Sequence, residues 1–458
     1  MIKRISFITV MIILFFFTSC DFLSNGGDMA QVSIPLLSSE GARAIGGVPD
    51  TITVTGYTVR VFGPGMEPIE KKIAAGARSV NMYVPGGQER HFTLEVHFIP
   101  LRGFAHPHLQ SFIGRATADL RPGYYTKLKF TLHAGASQLF VVDNNNSTGT
   151  VWYADSIEWL SPGSTTNHYS PSDVDISNTG VVFVSNDNGD TIGFGDRITS
   201  NPNQYSAGTP IRTIAIDRER HYLYYATITN MLFQVQLDPE TGIPVNPDTG
   251  GLYPAQPLET ANLPAGRTVT LQGVAVDPWT GYLYLTALIN PGTGNLWAVI
   301  KYDPFIPGPQ QPGAMLSAVT ESSCPQISSL TDVIVKDAGV FVLNMGGIDS
   351  APVPSILKFS RNLHYLGGYG SLSRDATGTL FEASTDPGDF YVPQRFFAIE
   401  NQGLYIIDDS NISAAPNGGT VDKIIHINEA LSSSSWDTYP HEQTDEFGQT
   451  LESFNFFL

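Results

Sequence analysis

Eight oxygen-bearing side chains, Asp143, Asp173, Asn186, Asp187, Asp332, Asn344, Asp408 and Asp409, fall at corresponding points of a strand pattern that recurs through the second part of the chain. Carboxylate and amide oxygens converging on one point suit a hard cation such as Ca²⁺, and Asp143 and Asp408 are the candidate ligands. The same residue types also build turns. The run Asn186-Asp187-Asn188-Gly189-Asp190 is too short for a complete calcium loop. His106-Pro107-His108 sets two imidazoles close together, with no third ligand nearby, and reads equally as a polar proline turn. Cys324, in Ser322-Ser323-Cys324-Pro325, has no partner motif and reads as inert. Trp152, Trp159, Trp279, Trp297 and Trp436 offer rings that stack on sugars or pack between sheets. No Gly-x-Ser-x-Gly, phosphate loop, dinucleotide fingerprint or His-Glu-x-x-His occurs, so no catalytic residue is assigned.

The elements that must position the oxygens are strands. Leu271–Thr286 holds one apolar strand, the turn Asp277-Pro278-Trp279-Thr280-Gly281, and a second apolar strand beginning Tyr282-Leu283-Tyr284. Ile211–Ala226 repeats it around Asp217 and His221. Weaker copies are Ser172–Val184, Thr331–Leu343 and Arg395–Ile407. Leu139–Asp143 is a second strand without a first, and Leu451–Phe457 a first strand without a second. The two ends complement each other, so the expectation is a ring of six repeats closed by the C-terminal strand, with seven, one of them too degraded to see, as the alternative. The turn between first and second strands is short throughout. The loops at the other end are longer and polar, and elaborated loops on a rigid scaffold are where binding resides. The motif of apolar strand, Asp-Pro-x-x-Gly turn and Tyr-Leu-Tyr resembles β-propellers of the NHL and YVTN kind. That resemblance covers about residues 136–458 and implies architecture alone. Six-bladed propellers of the gluconolactonase kind hold a divalent metal on carboxylate and Asn ligands. Their ligand pattern does not map residue by residue onto this chain.

Residues 49–135 read as short strands between turns. In Arg90–Phe98, Phe92, Leu94, Val96 and Phe98 alternate with His91, Thr93, Glu95 and His97, the period of a half-buried strand. A segment of this size and pattern suggests an immunoglobulin-like β-sandwich. Charge separates the two parts. Residues 21–135 carry 11 Lys+Arg and 9 Asp+Glu, while residues 136–458 carry 12 and 34. Such asymmetry marks separate units.

The N-terminus is a targeting segment. Lys3 and Arg4 precede an apolar run from Ile5 to Phe17, shorter than the roughly 20 residues of a spanning helix. Phe17-Thr18-Ser19-Cys20 resembles the lipobox of bacterial lipoproteins, with Phe17 where most have Leu. The resemblance implies cleavage after residue 19, lipidation of Cys20 and a mature chain held at a membrane. Residues 20–48 are expected to be a flexible tether.

The chain of 458 residues has 15% charged residues, 44 Gly, 31 Pro and a net charge of −18. That composition favours an all-β protein, and the acidity excludes a nucleic-acid partner. Two Cys exclude a disulfide scaffold. The expected protein is a lipid-anchored component of the bacterial cell envelope, periplasmic or surface-exposed. Its propeller is expected to bind a protein or glycan without catalysis and without a cofactor. The alternative is a divalent-metal-dependent hydrolase or lyase of the lactonase kind.

Overall fold

The computed structural model describes residues 28–36, 53–99, 109–130, 132–136, 138–143, 150–154, 171–177, 179, 181–186, 190–195, 203–258, 268–290, 296–307, 312–345, 355–372, 389–390, 393–397, 404–408, 423–427, 437–440 and 453–457. Cys20 and the pair His106 and His108 lie outside the described residues. The protein is all-β among those described, and it divides into two compact units, Met1–Ala134 and Gly135–Leu458.

The first unit has two sheets. In one, Met29–Pro35 lies between Ser79–Pro85, antiparallel to it, and Tyr125–Lys127, parallel to it. The other runs in the order Ile69–Ala74, Thr53–Phe62, Gly87–Ile99, Leu109–Leu120, His133–Ala136. Residues 29–35 lie inside the stretch expected to be a tether, and they form a strand instead. Ala30, Val32 and Ile34 alternate with Gln31 and Ser33, and all three apolar side chains are wholly buried. Burying that face outweighs the entropy that keeps a polar linker loose.

Within Gly87–Ile99, Phe92, Leu94 and Val96 are buried as their alternation requires. The opposite face is only partly wet, because His91 and Thr93 are also buried. His91 Nδ1 and Thr117 Oγ1, 3.0 Å apart, share a hydrogen bond across the sheet. Arg90 is buried as well, and its guanidinium donates to the carbonyls of Pro64, Pro85 and Gly86. A buried cation is tolerable when its donors are satisfied in this way.

The second unit is built from antiparallel four-stranded meanders. Each keeps its strands in chain order, over residues 171–206, 211–258, 268–320, 330–369 and 393–440. A three-stranded sheet joins Thr150–Ala154, Gln138–Asp143 and the C-terminal strand Ser453–Phe457. Ser453 pairs with Val142 and Phe457 with Gln138, so the last strand completes the sheet that the chain began some three hundred residues earlier.

The first strands are Pro171–Ile176, Ile211–Asp217, Thr268–Val276, Leu330–Lys336, Pro393–Phe397 and Ser453–Phe457. Each packs against the next, and the last packs against the first, closing a ring. A closed ring of radially stacked meanders is a β-propeller, and closure leaves no long sheet edge exposed.

Packing between neighbouring sheets explains the sequence of the second strands. In Tyr222–Thr227, Leu223 and Tyr225 join a cluster with Phe183, Phe194, Ile214 and Ile216. Tyr224 and Ala226 face the other way, into a cluster with Leu271, Val274, Leu285 and Ala287. A strand buried on both faces reads as an unbroken apolar run rather than an alternation.

Candidate functional site

One irregularity recurs in the first strands. Pairing to the second strand slips between Pro171 and Asp173, Ile211 and Thr213, Leu271 and Gly273, Leu330 and Val333, and Pro393 and Arg395. Each slip is a β-bulge that inserts one extra residue: Ser172, Arg212, Gln272 and Gln394 are the extra ones, and in the fourth sheet Thr331 and Asp332 together face Leu343. A bulge bends its strand and re-aims a side chain that would otherwise sit within the pleat. Arg212, Gln272 and Thr331, on successive sheets, are all partly exposed. Arg212 Nη1 donates to Gln272 Oε1 at 2.9 Å, linking two bulges across a sheet boundary.

Asp173, just after its bulge, and Asp332, within its own, do a different job. Asp173, 7% exposed, turns toward the next sheet. Its Oδ2 accepts from Thr213 Oγ1 at 2.8 Å and from the Ile214 amide at 3.0 Å, and its Oδ1 accepts from its neighbour Val174 N. Asp332, equally buried, accepts from the Phe396 amide of the following sheet at 2.8 Å. Two residues after Asp173, Asp175 Oδ2 takes the Ile216 amide at 2.7 Å. These first strands are the inner edges of their sheets, so their outward amides have no ladder partner. A carboxylate from the preceding sheet supplies the acceptor. At the position matching Thr213 the third sheet has Gly273, where a Cβ would lie 2.9 Å from Asp332 Oδ1 and 3.0 Å from its Cα. Glycine here is what lets the two strands approach.

The structure places Asp143, Asn186, Asn344 and Asp408 at the ends of their second strands, Asp143 opposite Thr150 in a sheet without a bulge. Asn186, Asn344 and Asp408 each pair with the residue just before a bulge. Asn344 is fully buried: its Oδ1 accepts from Ser328 N and Ser329 N, and its Nδ2 donates to Gln326 O. It thereby pins the segment that enters the fourth sheet. Asp187 and Asp409 lie outside the described residues. Among the described residues, no group of three or more His, Cys, Asp or Glu is placed to hold a metal ion. Cys324 is buried, its Sγ lies 3.2 Å from Gln326 Oε1, and burial pushes its thiol pKa up, away from the reactive thiolate. Trp279 is buried under the Arg361 guanidinium, 4.6 Å from its ring centre.

The opposite end of the ring is laced shut. Arg218 donates to Asp175 Oδ1 at 3.0 Å and to Ile176 O at 2.8 Å, tying the second sheet to the first. Arg220 pairs with Asp217 at 3.2 Å and donates to Trp279 O, reaching the third sheet. Arg361 pairs with Asp277 at 3.3 Å and donates to Lys336 O and Asp337 O, joining the third and fourth. The turns themselves are locked by Asp. Asp277 Oδ1 accepts from Trp279 N, and the Gly281 amide returns to Asp277 O at 2.7 Å with Gly281 at φ 78°. His221 adopts φ 59° at the matching position. The same turn recurs at Asp238-Pro239-Glu240-Thr241-Gly242 and, with Asn, at Asn246-Pro247-Asp248-Thr249-Gly250. Both ends carry partly exposed polar side chains, Arg212, Gln272 and Thr331 at the bulges and Arg218, Glu219 and Arg220 at the turns, and among the described residues only the turn end is laced by ion pairs between charged side chains.

Burial raises the pKa of Asp175 despite Arg218. At Asp217, burial outweighs Arg220 and lifts the pKa to about 6. A raised carboxyl pKa means that the folded state resists ionisation. The stability this group contributes is therefore full below its unfolded pKa near 4 and is lost as pH rises through about 6. Asp217→Asn keeps the acceptor for Glu219 N and Arg220 N but cannot ionise. The difference in unfolding free energy between wild type and this variant is expected to shift by up to about 3 kcal/mol between pH 4 and pH 7, in the variant's favour at high pH. Denaturant titrations across that range measure it, and a flat difference would contradict the assignment.

No family model matches the chain, and no curated protein matches it. It is similar in structure to a chain in the crystal structure of a nidogen/laminin complex, at 12% identity and TM-score 0.44, covering 70% of this chain and 98% of that one. A protein of unknown function from Bacteroides caccae gives 12%, 0.42, 70% and 98%. Another of unknown function from Bacteroides thetaiotaomicron gives 11%, 0.39, 86% and 88%. The fold rests on the ring of sheets itself.

Proposed function

We propose that this chain is a lipid-anchored protein of a bacterial cell envelope that works as a binding module. Cys20 carries the lipid, and an immunoglobulin-like sandwich precedes a six-bladed propeller of the NHL or YVTN kind. The propeller engages a protein or glycan, without catalysis, through the bulge-lined end of its ring. The recurring bulge is the observation that carries this reading. It re-aims Arg212, Gln272 and Thr331 at one end of successive sheets, where they stay partly exposed. Guanidinium, amide and hydroxyl groups together recognise a polar, hydroxyl- or carbonyl-bearing ligand.

Residues 20–458, with Cys20→Ser and no signal segment, are to be screened against glycan and peptide arrays beside an Arg212→Ala/Gln272→Ala variant. The reading expects at least one ligand of the unsubstituted propeller to bind the variant at least ten times more weakly, with circular dichroism showing that the variant is folded. Arrays that yield no ligand, or ligands held equally by both proteins, would sink it.

A further inference from the structure

The outer face of the three-stranded sheet in the first unit has a composition unlike the rest of this acidic chain. Its three strands, Met29–Pro35, Ser79–Pro85 and Tyr125–Lys127, contain no Asp or Glu. Register places Tyr83 and Tyr125 on either side of Gln31. Two strand spacings, roughly 10 Å, separate them. The row beside it is Asn81, Ser33 and Lys127. Tyr83 is 66% exposed, Tyr125 59% and the adjoining Tyr124 65%, the three highest exposures among the large apolar and aromatic side chains described. Arg78, Arg121, Lys127 and Lys129, at the ends of these strands or just beyond them, are all exposed. The face is therefore aromatic, with four exposed cations at or near the strand ends against one exposed carboxylate, Asp28, just before the first strand.

We propose that this face rests on the anionic headgroups of the membrane that holds the chain. The inference depends on the lipid-anchor part of the function proposed above. Three arguments select a bilayer as the occupant. Tyrosine rings, apolar in body and polar at the tip, favour the bilayer–water interface. The basic rim is complementary to anionic lipid, whereas residues 136–458, with 34 Asp+Glu against 12 Lys+Arg, are repelled by it. The chain also enters this sheet first: Met29 follows Cys20 by nine residues, a maximum span of about 30 Å. A lipid on Cys20 thus delivers this sheet to the surface before any other element, and the tethered face meets the headgroups at high effective concentration.

The test uses residues 20–458 with Cys20→Ser, so that no acyl chain contributes. Sedimentation with vesicles of phosphatidylcholine containing one-third phosphatidylglycerol is compared with pure phosphatidylcholine, at low and at physiological salt. The proposal expects binding to the anionic vesicles that weakens with salt. Tyr83→Ala/Tyr125→Ala is expected to weaken it at least tenfold, and Lys127→Glu/Lys129→Glu to abolish the preference for phosphatidylglycerol. All four positions are exposed, so the variants should fold, and circular dichroism checks this. No binding to anionic vesicles, or equal binding by the variants, overturns the proposal. Absence of vesicle binding together with glycan-array binding that requires Tyr83 and Tyr125 also overturns it and assigns the face to a saccharide. Mass spectrometry of the full chain from a bacterial membrane reports acylation of Cys20 separately, so failure of the anchor and failure of the face are distinguishable.

Discussion

Alanine at Asp173 is expected to cost the propeller about 3–5 kcal/mol, although the residue lies on no short turn and contributes no apolar packing. Its carboxylate serves the Thr213 hydroxyl and the Ile214 amide of the next sheet, forty residues away, and the amide of its neighbour Val174. Thr213 and Ile214 are 1% and 3% exposed, so water cannot replace the lost acceptor. Each stranded donor costs about 1–3 kcal/mol, more when its partner was charged. Asp173→Asn retains one acceptor oxygen and the shape of the side chain, and about half the loss is expected. Guanidinium denaturation of both variants measures the effect as a shift in midpoint at constant slope. A loss below about 1 kcal/mol for alanine would show that the inner-edge amides are satisfied in some other way.

Removing residues 453–458 is expected to do more. The strand Ser453–Phe457 holds five paired positions against Gln138–Asp143 and fills the place between the strands Pro393–Phe397 and Pro171–Ile176. Net backbone pairing alone contributes about 5 kcal/mol at roughly 1 kcal/mol per hydrogen bond, before any side-chain burial. Its loss also opens the ring and exposes the Gln138–Asp143 edge to other chains. The truncated protein is expected to unfold over a broader and lower temperature range than the complete chain, and to aggregate at concentrations where that chain stays monomeric. Calorimetry and light scattering read the two effects. A truncated protein that unfolds like the complete one would mean that closure is made by other contacts.

Much of this architecture is legible in the residues. The Asp277-Pro278-Trp279-Thr280-Gly281 turn announces itself because a carboxylate must catch the turn's amides and a glycine must take the left-handed conformation. The match between an unpaired strand at each end of the unit announces closure. The bulges are less visible, yet they leave a trace. Arg212-Thr213, Gln272-Gly273 and Thr331-Asp332 are paired non-apolar residues inside apolar strands, and a regular pleat accommodates only one such residue at a time. What no local pattern reveals is the partner. Asp173 and Asp332 read as oxygens available to a ligand, because their acceptors' obligations lie one sheet away and depend on how the sheets stack. Asn344 is absorbed in the same way by residues 326–329. In the first unit the strand Met29–Pro35 carried its own alternating signal, obscured by the Ser- and Gly-rich residues around it.

The central claim is that the bulge-lined end of the ring, and not the end laced by Arg218, Arg220 and Arg361, meets the ligand. Hydrogen–deuterium exchange of residues 20–458, with and without the tightest ligand from the arrays, tests it most directly. Added protection is predicted in segments 211–213, 271–273 and 330–332, with none at the turns 217–221, 277–281 and 336–339. Protection confined to those turns, or to the first unit, would contradict the account.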